Sequence, residues 1–213
     1  VNGIYYRIVD LESSNILSPS FEPWMYKYFK PKEGDVVIDV GAHIGKYTFY
    51  AAKLVGKRGR VIALEPSPDT YEALTDGIKK NGFTNVIALN YAAWRENATL
   101  TLYVGSAHET SSVFKEHTAK WSPILHEVSV KAVRLDDLVI ELGIDKVDWI
   151  KIDAERAEYD ILLGATNILT KYRPKLIIEV YKENMEKVYR LLSPYYKAIR
   201  ITEGDLSYIF FQP

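Results

Sequence analysis

The chain has 213 residues, 28 acidic against 27 basic side chains for a net charge of −1, and 47% hydrophobic residues, the balance of an ordinary globular domain. A near-neutral surface excludes a protein whose main task is to coat nucleic acid or anionic membrane, since both need a broad positive field. Zero cysteines exclude disulfides, thiolate nucleophiles and cysteine-bound zinc, and the expected location is cytoplasmic.

No apolar run approaches the ~20 residues that cross a bilayer. The start, Val1-Asn-Gly-Ile-Tyr-Tyr-Arg, lacks the basic-then-apolar pattern of a signal peptide, and a leading Val points to a processed or trimmed chain. Residues 1–32 read as a flap on a main domain of residues 33–213. In the flap, alternation over Gly3–Val9 predicts a strand, and Ser20 is placed to cap a helix over Phe21–Phe29 that stops before Pro31.

From Gly34 the pattern becomes regular. Asp35–Val40 and Arg60–Glu65 are near-continuous apolar runs, the mark of strands covered on both faces. Helical spacing over Gly45–Leu54 follows the first. Pro68 opens a second helix that Asn81-Gly82 closes. Val86–Leu89 is a third strand, Val147–Ile152 a fourth and Leu176–Val180 a fifth, with helices over about Ala157–Thr170 and Met185–Leu192. Residues 91–146 read as an insertion that walls a substrate site, with alternation at Leu100–Val104 and Val128–Ala132 and a helix over Leu135–Leu142. Tyr196–Ile201 and Tyr208–Phe211 are strands joined by Thr202-Glu-Gly-Asp, too short for a crossover helix. The α/β alternation with a closing hairpin predicts a mostly parallel sheet with helices on both faces and one antiparallel strand. Such a sheet binds its ligand beyond the carboxyl ends of its strands.

The chemistry-bearing residues collect at those ends. Gly41 and Gly45 bracket a tight turn where a ligand can approach the backbone. Their spacing is neither the dinucleotide Gly-x-Gly-x-x-Gly nor a P-loop. Glu65 ends the next strand, where a carboxylate accepts ribose hydroxyls. Together they favour an adenosine pocket, and without a pyrophosphate cradle the ligand is an adenosyl compound rather than NAD. Asp153, Glu155 and Glu158 crowd the fourth strand's exit, and Glu155 and Glu158 serve equally well as helix-start acids. Asp153, Glu179 and Asp39 sit at strand termini, where converging carboxylates supply a general base or hold Mg²⁺. His43, His108, His117 and His126 lack metal-ligand spacing, so no metal ligand set is assigned. His43 lies inside the glycine turn and His108 on the substrate side, while Trp94 and Trp121 offer stacking surface.

The motifs Asp39-Val-Gly-Ala-His-Ile-Gly, Ala63-Leu-Glu-Pro-Ser-Pro and Ile150-Lys-Ile-Asp-Ala-Glu-Arg-Ala-Glu, in this order, resemble those of FkbM-type methyltransferases over roughly residues 34–181. The resemblance implies a class I methyltransferase, a Rossmann-like fold with a seven-stranded sheet, using S-adenosyl-L-methionine for O-methylation of a small hydroxylated acceptor, a sugar or natural product. It implies that Asp39, Gly41, Ala42, His43 and Gly45 hold the methionine part, Asp39 through its amino group. Glu65 with Pro66 would hold the ribose, and Asn90 and Ala92 the adenine. Asp153 would face the sulfonium and acceptor, and Asp153, Glu155 or His43 would take the acceptor's proton. Two positions depart from the family: His43 replaces Asn, and Arg156 replaces Gly, implying a changed turn and a positive group at the acceptor site. RNA methylation is the second reading, with Lys27, Lys30, Lys32 and Arg7 as its basic surface. A non-catalytic binding module is the third, and an NAD-dependent dehydrogenase ranks last. The sequence leaves the oligomeric state open.

Overall fold

The run Val36-Val-Ile-Asp-Val has no polar face, so its strand must be covered on both sides. In the computed structural model, which describes residues 3–213, all five of these residues are buried. The reading of the chain's start at Val1 and Asn2 lies outside the described residues. The N-terminal segment carries two short helices, α1 (Leu11–Asn15) and α2 (Met25–Tyr28). Alternating units follow: β1 (Val36–Val40), α3 (Lys46–Val55), β2 (Arg60–Leu64), α4 (Pro68–Asn81) and β3 (Val86–Leu89). Next come β4 (Tyr91–Ala93), β5 (Ala98–Gly105), α5 (Lys115–Trp121), β6 (Ile124–Val133) and α6 (Leu135–Glu141). The chain ends with β7 (Trp149–Ile152), α7 (Glu158–Leu163), α8 (Thr166–Lys171), β8 (Lys175–Tyr181), α9 (Lys182–Leu192), β9 (Lys197–Arg200) and β10 (Leu206–Gln212).

Seven strands form one sheet in the order β3-β2-β1-β7-β8-β10-β9. Only β10 runs antiparallel to its neighbours, because residues 201–205 leave no room for the crossover a parallel strand needs. The two-residue period of the strands divides the core. Ile38, Val40, Ile62, Ile150 and Ile178 face one hydrophobic cluster. Val37, Val61, Trp149 and Ile177 face another, joined there by Met25 and Phe29 from the N-terminal segment. Burial of those last two, each fully covered, contributes about 1.5–3 kcal/mol apiece and anchors the segment. Strands β4, β6 and β5 form a separate three-stranded sheet built from the stretch read as an insertion.

Three expectations are corrected and one helix is added. Gly3–Val9 is irregular rather than a strand. Its Tyr5 peptide exchanges hydrogen bonds with the Asn81 side chain, and alternation seats Ile4 and Tyr6 on the Phe49 cluster. The Phe21–Phe29 helix shrinks to α2, which Ser20 does not cap. Glu22 precedes Pro23, a position where α conformation is disfavoured, and it takes φ +52° instead. Helix α1 was not foreseen, although Asp10 caps it through Ser13 N–H. The helix over 157–170 is two helices, broken at Gly164, where a Cβ would lie 2.1 Å from the Trp94 carbonyl oxygen.

Asp136 from α6 fills that break. Its buried carboxylate accepts Asn167 N–H at 3.0 Å and Ile168 N–H at 3.0 Å, and it pairs with Arg134 at 3.2 Å. It caps α8 from another helix. Asp136→Ala is expected to cost about 2–4 kcal/mol, read as a lower urea midpoint with unchanged slope.

Candidate functional site

The carboxyl ends of β1, β2, β7 and β8 open into one cleft of about 640 Å³. Gly41, Glu65, Asp153 and Glu179 line its floor, and Tyr91 to Trp94 with Glu109 to Val113 form a wall. Phe21, Glu22 and Trp24 cover it from the N-terminal segment. His108 ties the two covers together: its N–H and Nδ1 reach Asp10 Oδ2 at 2.8 and 2.9 Å.

The floor is built on a close approach. Gly41 has φ +73°, and a Cβ there would lie 1.8 Å from the Asp153 carbonyl oxygen, so only glycine fits. Lys151, 2% exposed, sends Nζ to Gly41 O at 3.1 Å, Asp39 Oδ1 at 3.3 Å and Asp153 Oδ2 at 3.4 Å. Burial alone lowers the lysine's pKa, but Asp39, Asp153 and Glu22 overcome this and hold it above its ordinary value. The remaining oxygen of Asp39 accepts Thr48 Oγ1–H at 2.6 Å.

Three expected cofactor contacts lie off the cleft lining. Asp39, 1% exposed, lies beneath the cleft and not on its lining, because Lys151 and Thr48 use its oxygens. Gly45, also absent from the lining, takes φ +95° with Phe49 2.6 Å from where a Cβ would sit; it serves packing. Asn90 is likewise off the lining and donates Nδ2–H bonds to the Glu65 and Pro66 carbonyls at 2.8 and 2.9 Å. It shapes the turn that presents Glu65.

Gly41, Ala42, His43, Glu65, Pro66, Ala92, Asp153 and Glu155 do line the cleft. Glu65 Oε1 accepts Ser67 N–H and Thr70 Oγ1–H, and Oε2 accepts His43 N–H at 2.8 Å. A carboxylate has about four lone-pair sites; one, on Oε2, is left for a ligand, narrower than the two-hydroxyl grip expected. Burial raises the Glu65 pKa, and those three bonds oppose the rise. His43 takes φ +50°, and neither buried ring nitrogen has a hydrogen-bond partner. Burial pushes its pKa down to about 4, so the ring is neutral near pH 7 and a weak proton acceptor.

Beyond Asp153 the cleft becomes an acidic chamber. Glu155 Oε2 lies 2.6 Å from His117 Nε2 and accepts Tyr181 Oη–H at 2.8 Å. Tyr208 Oη is 3.5 Å from Asp153 Oδ2, and Glu22 accepts the Tyr47 hydroxyl. Burial raises the pKa values of Glu22, Glu155 and, most strongly, Glu179. Sequence reading missed Glu22, Tyr47, Tyr181, Tyr208 and the part played by His117; the abundance of tyrosine was the only signal.

Arg156 corrects two expectations. It holds φ +83° directly after Glu155 at +50°, so the glycine-like turn is kept at a strain of about 1–3 kcal/mol per residue. Its guanidinium pairs with Glu183 at 2.6 Å and is not on the cleft lining. Trp94 and Trp121 both border the cleft. Lys27, Lys30, Lys32 and Arg7 do not, and Arg7 is paired with Glu72 at 2.7 Å.

Residues 39–206 match the family described as the methyltransferase FkbM domain. The chain is 29% identical over 173 residues to hexuronic acid methyltransferase AglP of Haloferax volcanii, covering 81% of this chain and 67% of that protein. It is 29% identical over 158 residues to 31-O-demethyl-FK506 methyltransferase FkbM of Streptomyces tacrolimicus, covering 62% of this chain and 60% of that one. The crystal structure of methyltransferase FkbM from Methylobacillus flagellatus superposes with a TM-score of 0.60 at 16% identity, over 85% of this chain and 44% of that one. The chain belongs to the FkbM methyltransferase family, with the class I methyltransferase fold.

Glu158 supplies a stability test independent of ligand. It is fully buried and accepts Arg156 N–H at 2.7 Å and Asn184 Nδ2–H at 3.2 Å. Burial pushes its pKa up to about 8. The folded state thus binds this proton more tightly than the unfolded chain, and the stabilisation falls as pH rises from about 4.5 toward 8. Glu158→Gln carries no such proton. Its stability relative to wild type is expected to rise by about 1–4 kcal/mol between pH 5 and pH 8, measured by denaturant unfolding at both pH values.

Proposed function

We propose that this FkbM-family methyltransferase methylates a hydroxyl of a small polyhydroxylated acceptor, a sugar or natural product, with S-adenosylmethionine as donor. The observation that carries the reading is one cleft with two halves. Glu65 and the Gly41–His43 turn form a nucleoside-sized end, and a chamber of tyrosines and carboxylates lies beyond Asp153. Family membership supports the donor, and FkbM of Streptomyces tacrolimicus, a 31-O-demethyl-FK506 methyltransferase by name, supports oxygen as the acceptor atom.

The residues present fit the donor. Glu65 Oε2 keeps an acceptor site for a ribose hydroxyl. His43 offers two buried ring nitrogens without partners, and as a neutral imidazole it does not repel a cation. Asp153, half-buried on the floor, sets a negative charge at the junction of the two halves. S-adenosylmethionine supplies, when bound, an electrophilic methyl group on a positively charged sulfur.

The protein's main task is then to align the acceptor. Correct placement of reacting groups supplies about 7–11 kcal/mol. Asp153 is the group we place against the acceptor hydroxyl, as a hydrogen-bond acceptor that points the oxygen lone pair along the transfer line. Tyr181 and Tyr208 flank it, and Glu155, gripped by His117, limits how far the acceptor slides. Carboxylates near a positive charge that vanishes during transfer favour binding of the charged state more than the rate. We read the N-terminal segment, from Gly3 to Lys32, as the flap over this chamber and the 91–146 insertion as its wall, with Phe21, Glu22 and Trp24 reaching over the acceptor side.

The RNA reading is weakened by the same chamber. Glu22, Glu109, Asp153, Glu155 and Glu179 line the cleft; among the described residues Lys46 and Lys151 are the lysines that line it, and no arginine does. Phosphates would meet carboxyl groups there where cations are needed, the reverse of a nucleic-acid channel.

Calorimetry with S-adenosylhomocysteine tests the donor end. Wild type is expected to bind, and Glu65→Ala to bind about 10- to 100-fold more weakly; no binding by wild type removes the proposal. A radiolabelled-methyl assay tests the acceptor end: label should enter the small-molecule glycoside or polyol fraction, and label in RNA alone would reverse the assignment.

A further inference from the structure

We infer that Asp153, Glu155 and Glu179 form a divalent-cation site at the inner end of the acceptor chamber, suited to Mg²⁺ or Mn²⁺. One ligand oxygen from each lies within 4.8 Å of the other two, and among the described residues no other such group is found. The three come from adjacent strand ends: Asp153 directly after β7, Glu155 in the turn that follows, and Glu179 within β8.

Proximity of acids is common and decides nothing alone. The second observation is Glu179. It is only 5% exposed and borders the cleft, and no donor reaches its Oε2. A buried polar oxygen without a partner is costly to keep. The donors nearby are spent elsewhere, and the group within hydrogen-bond reach of Glu179 is the Asp153 carboxylate, itself an acceptor. Tyr181 donates to Glu155, and His117 also contacts Glu155; Lys151 is shared between Asp39 and Asp153. A cation coordinated by all three carboxylates satisfies the orphaned oxygen.

The donor set selects the ion. Three carboxylate oxygens are hard ligands, with neither thiolate nor imidazole among them, which favours Mg²⁺ or Mn²⁺ over zinc or copper. The bonds from His117 and Tyr181 both fall on Oε2 of Glu155. They hold that carboxylate in place through one oxygen, the role of outer-sphere partners at metal sites, and neither of them contacts Oε1. Three protein ligands leave positions for water or for adjacent hydroxyls of an acceptor, whose bound hydroxyl would lose its proton more readily to cleft water. That last role rests on the methyl-transfer reading above; ion binding does not.

The test titrates Mn²⁺ into cofactor-free protein and follows the electron paramagnetic resonance signal of the free ion. One site per chain is expected, with Kd at or below about 100 μM, competed by Mg²⁺. Glu179→Gln keeps the side-chain volume and should weaken binding at least about 10-fold, with circular dichroism confirming its fold. Should Glu179→Gln not fold, Asp153→Asn is the variant read. S-adenosylhomocysteine calorimetry on the same wild-type sample separates the two ideas, since the nucleoside end binds without the ion. Absence of Mn²⁺ binding by wild type, or an unchanged Kd in the folded variant, overturns the site.

Discussion

The contact on which the cleft depends is between two neighbouring strand ends. Strands β1 and β7 pair in parallel with Asp39 opposite Lys151. One residue past β1, Gly41 comes so close to the Asp153 carbonyl that a methyl group would not fit. Lys151 spans the same junction, bound to Asp39, Asp153 and the Gly41 carbonyl. Such a buried ion group is not a large net source of stability, because desolvation offsets most of its attraction. Breaking it by removing one partner nevertheless costs about 3–5 kcal/mol. Its value is positional: it sets where the floor lies, and therefore where Glu65, His43 and Asp153 stand relative to one another.

From that junction the rest of the site follows by strand geometry. Side chains two residues apart share a face, so Lys151 and Asp153 point to the same side and meet the turn after β1. The next strand out, β8, brings Glu179 alongside, paired opposite Tyr208 of β10. The single antiparallel strand thus places a tyrosine hydroxyl against Asp153. The acidity of the chamber is the consequence of gathering Asp153 after β7, Glu155 in the next turn and Glu179 near the end of β8. It is maintained against its own repulsion by tyrosine hydroxyls, one lysine and the strained Glu155–Arg156 turn.

The strands and the nucleoside end were legible because both are local. Buried parallel strands appear as apolar runs, and Gly41 and Glu65 declare themselves by position at strand ends. Direction is harder to read. Asp39, Gly45 and Asn90 belong to the same motifs as the lining residues, yet Asp39 and Asn90 turn into the protein, toward Lys151 and the Glu65 carbonyl, and Gly45 packs against Phe49. A motif marks a neighbourhood without saying which atoms face the ligand. The acceptor chamber was less legible still, since Glu22, Tyr181 and Tyr208 come from three distant segments and meet only through tertiary packing. The N-terminal segment misled for a related reason: alternation that normally signals a strand here seats Ile4 and Tyr6 against a core cluster, with the backbone bonded to a helix-end asparagine.

The halves of the cleft differ in how their charge is handled, and that difference argues for a division of labour. At the nucleoside end, Glu65 is the one cleft-lining carboxylate whose oxygens are nearly filled by the protein's own donors, so its position is rigid and its remaining capacity small. At the acceptor end, Glu179 keeps an oxygen with no donor at all, and Asp153 touches Lys151 and Tyr208 only at 3.4 and 3.5 Å. Satisfied groups bind by shape, whereas unsatisfied buried groups discriminate strongly, because a partner that fails to complete them leaves their desolvation unrecovered. In the proposed reading, the nucleoside end is preorganised at Glu65 and leaves the two ring nitrogens of His43 open. On the same proposed reading, the acceptor end holds its carboxylate capacity in reserve, and a hydroxylated acceptor would be selected by how fully it completes that set.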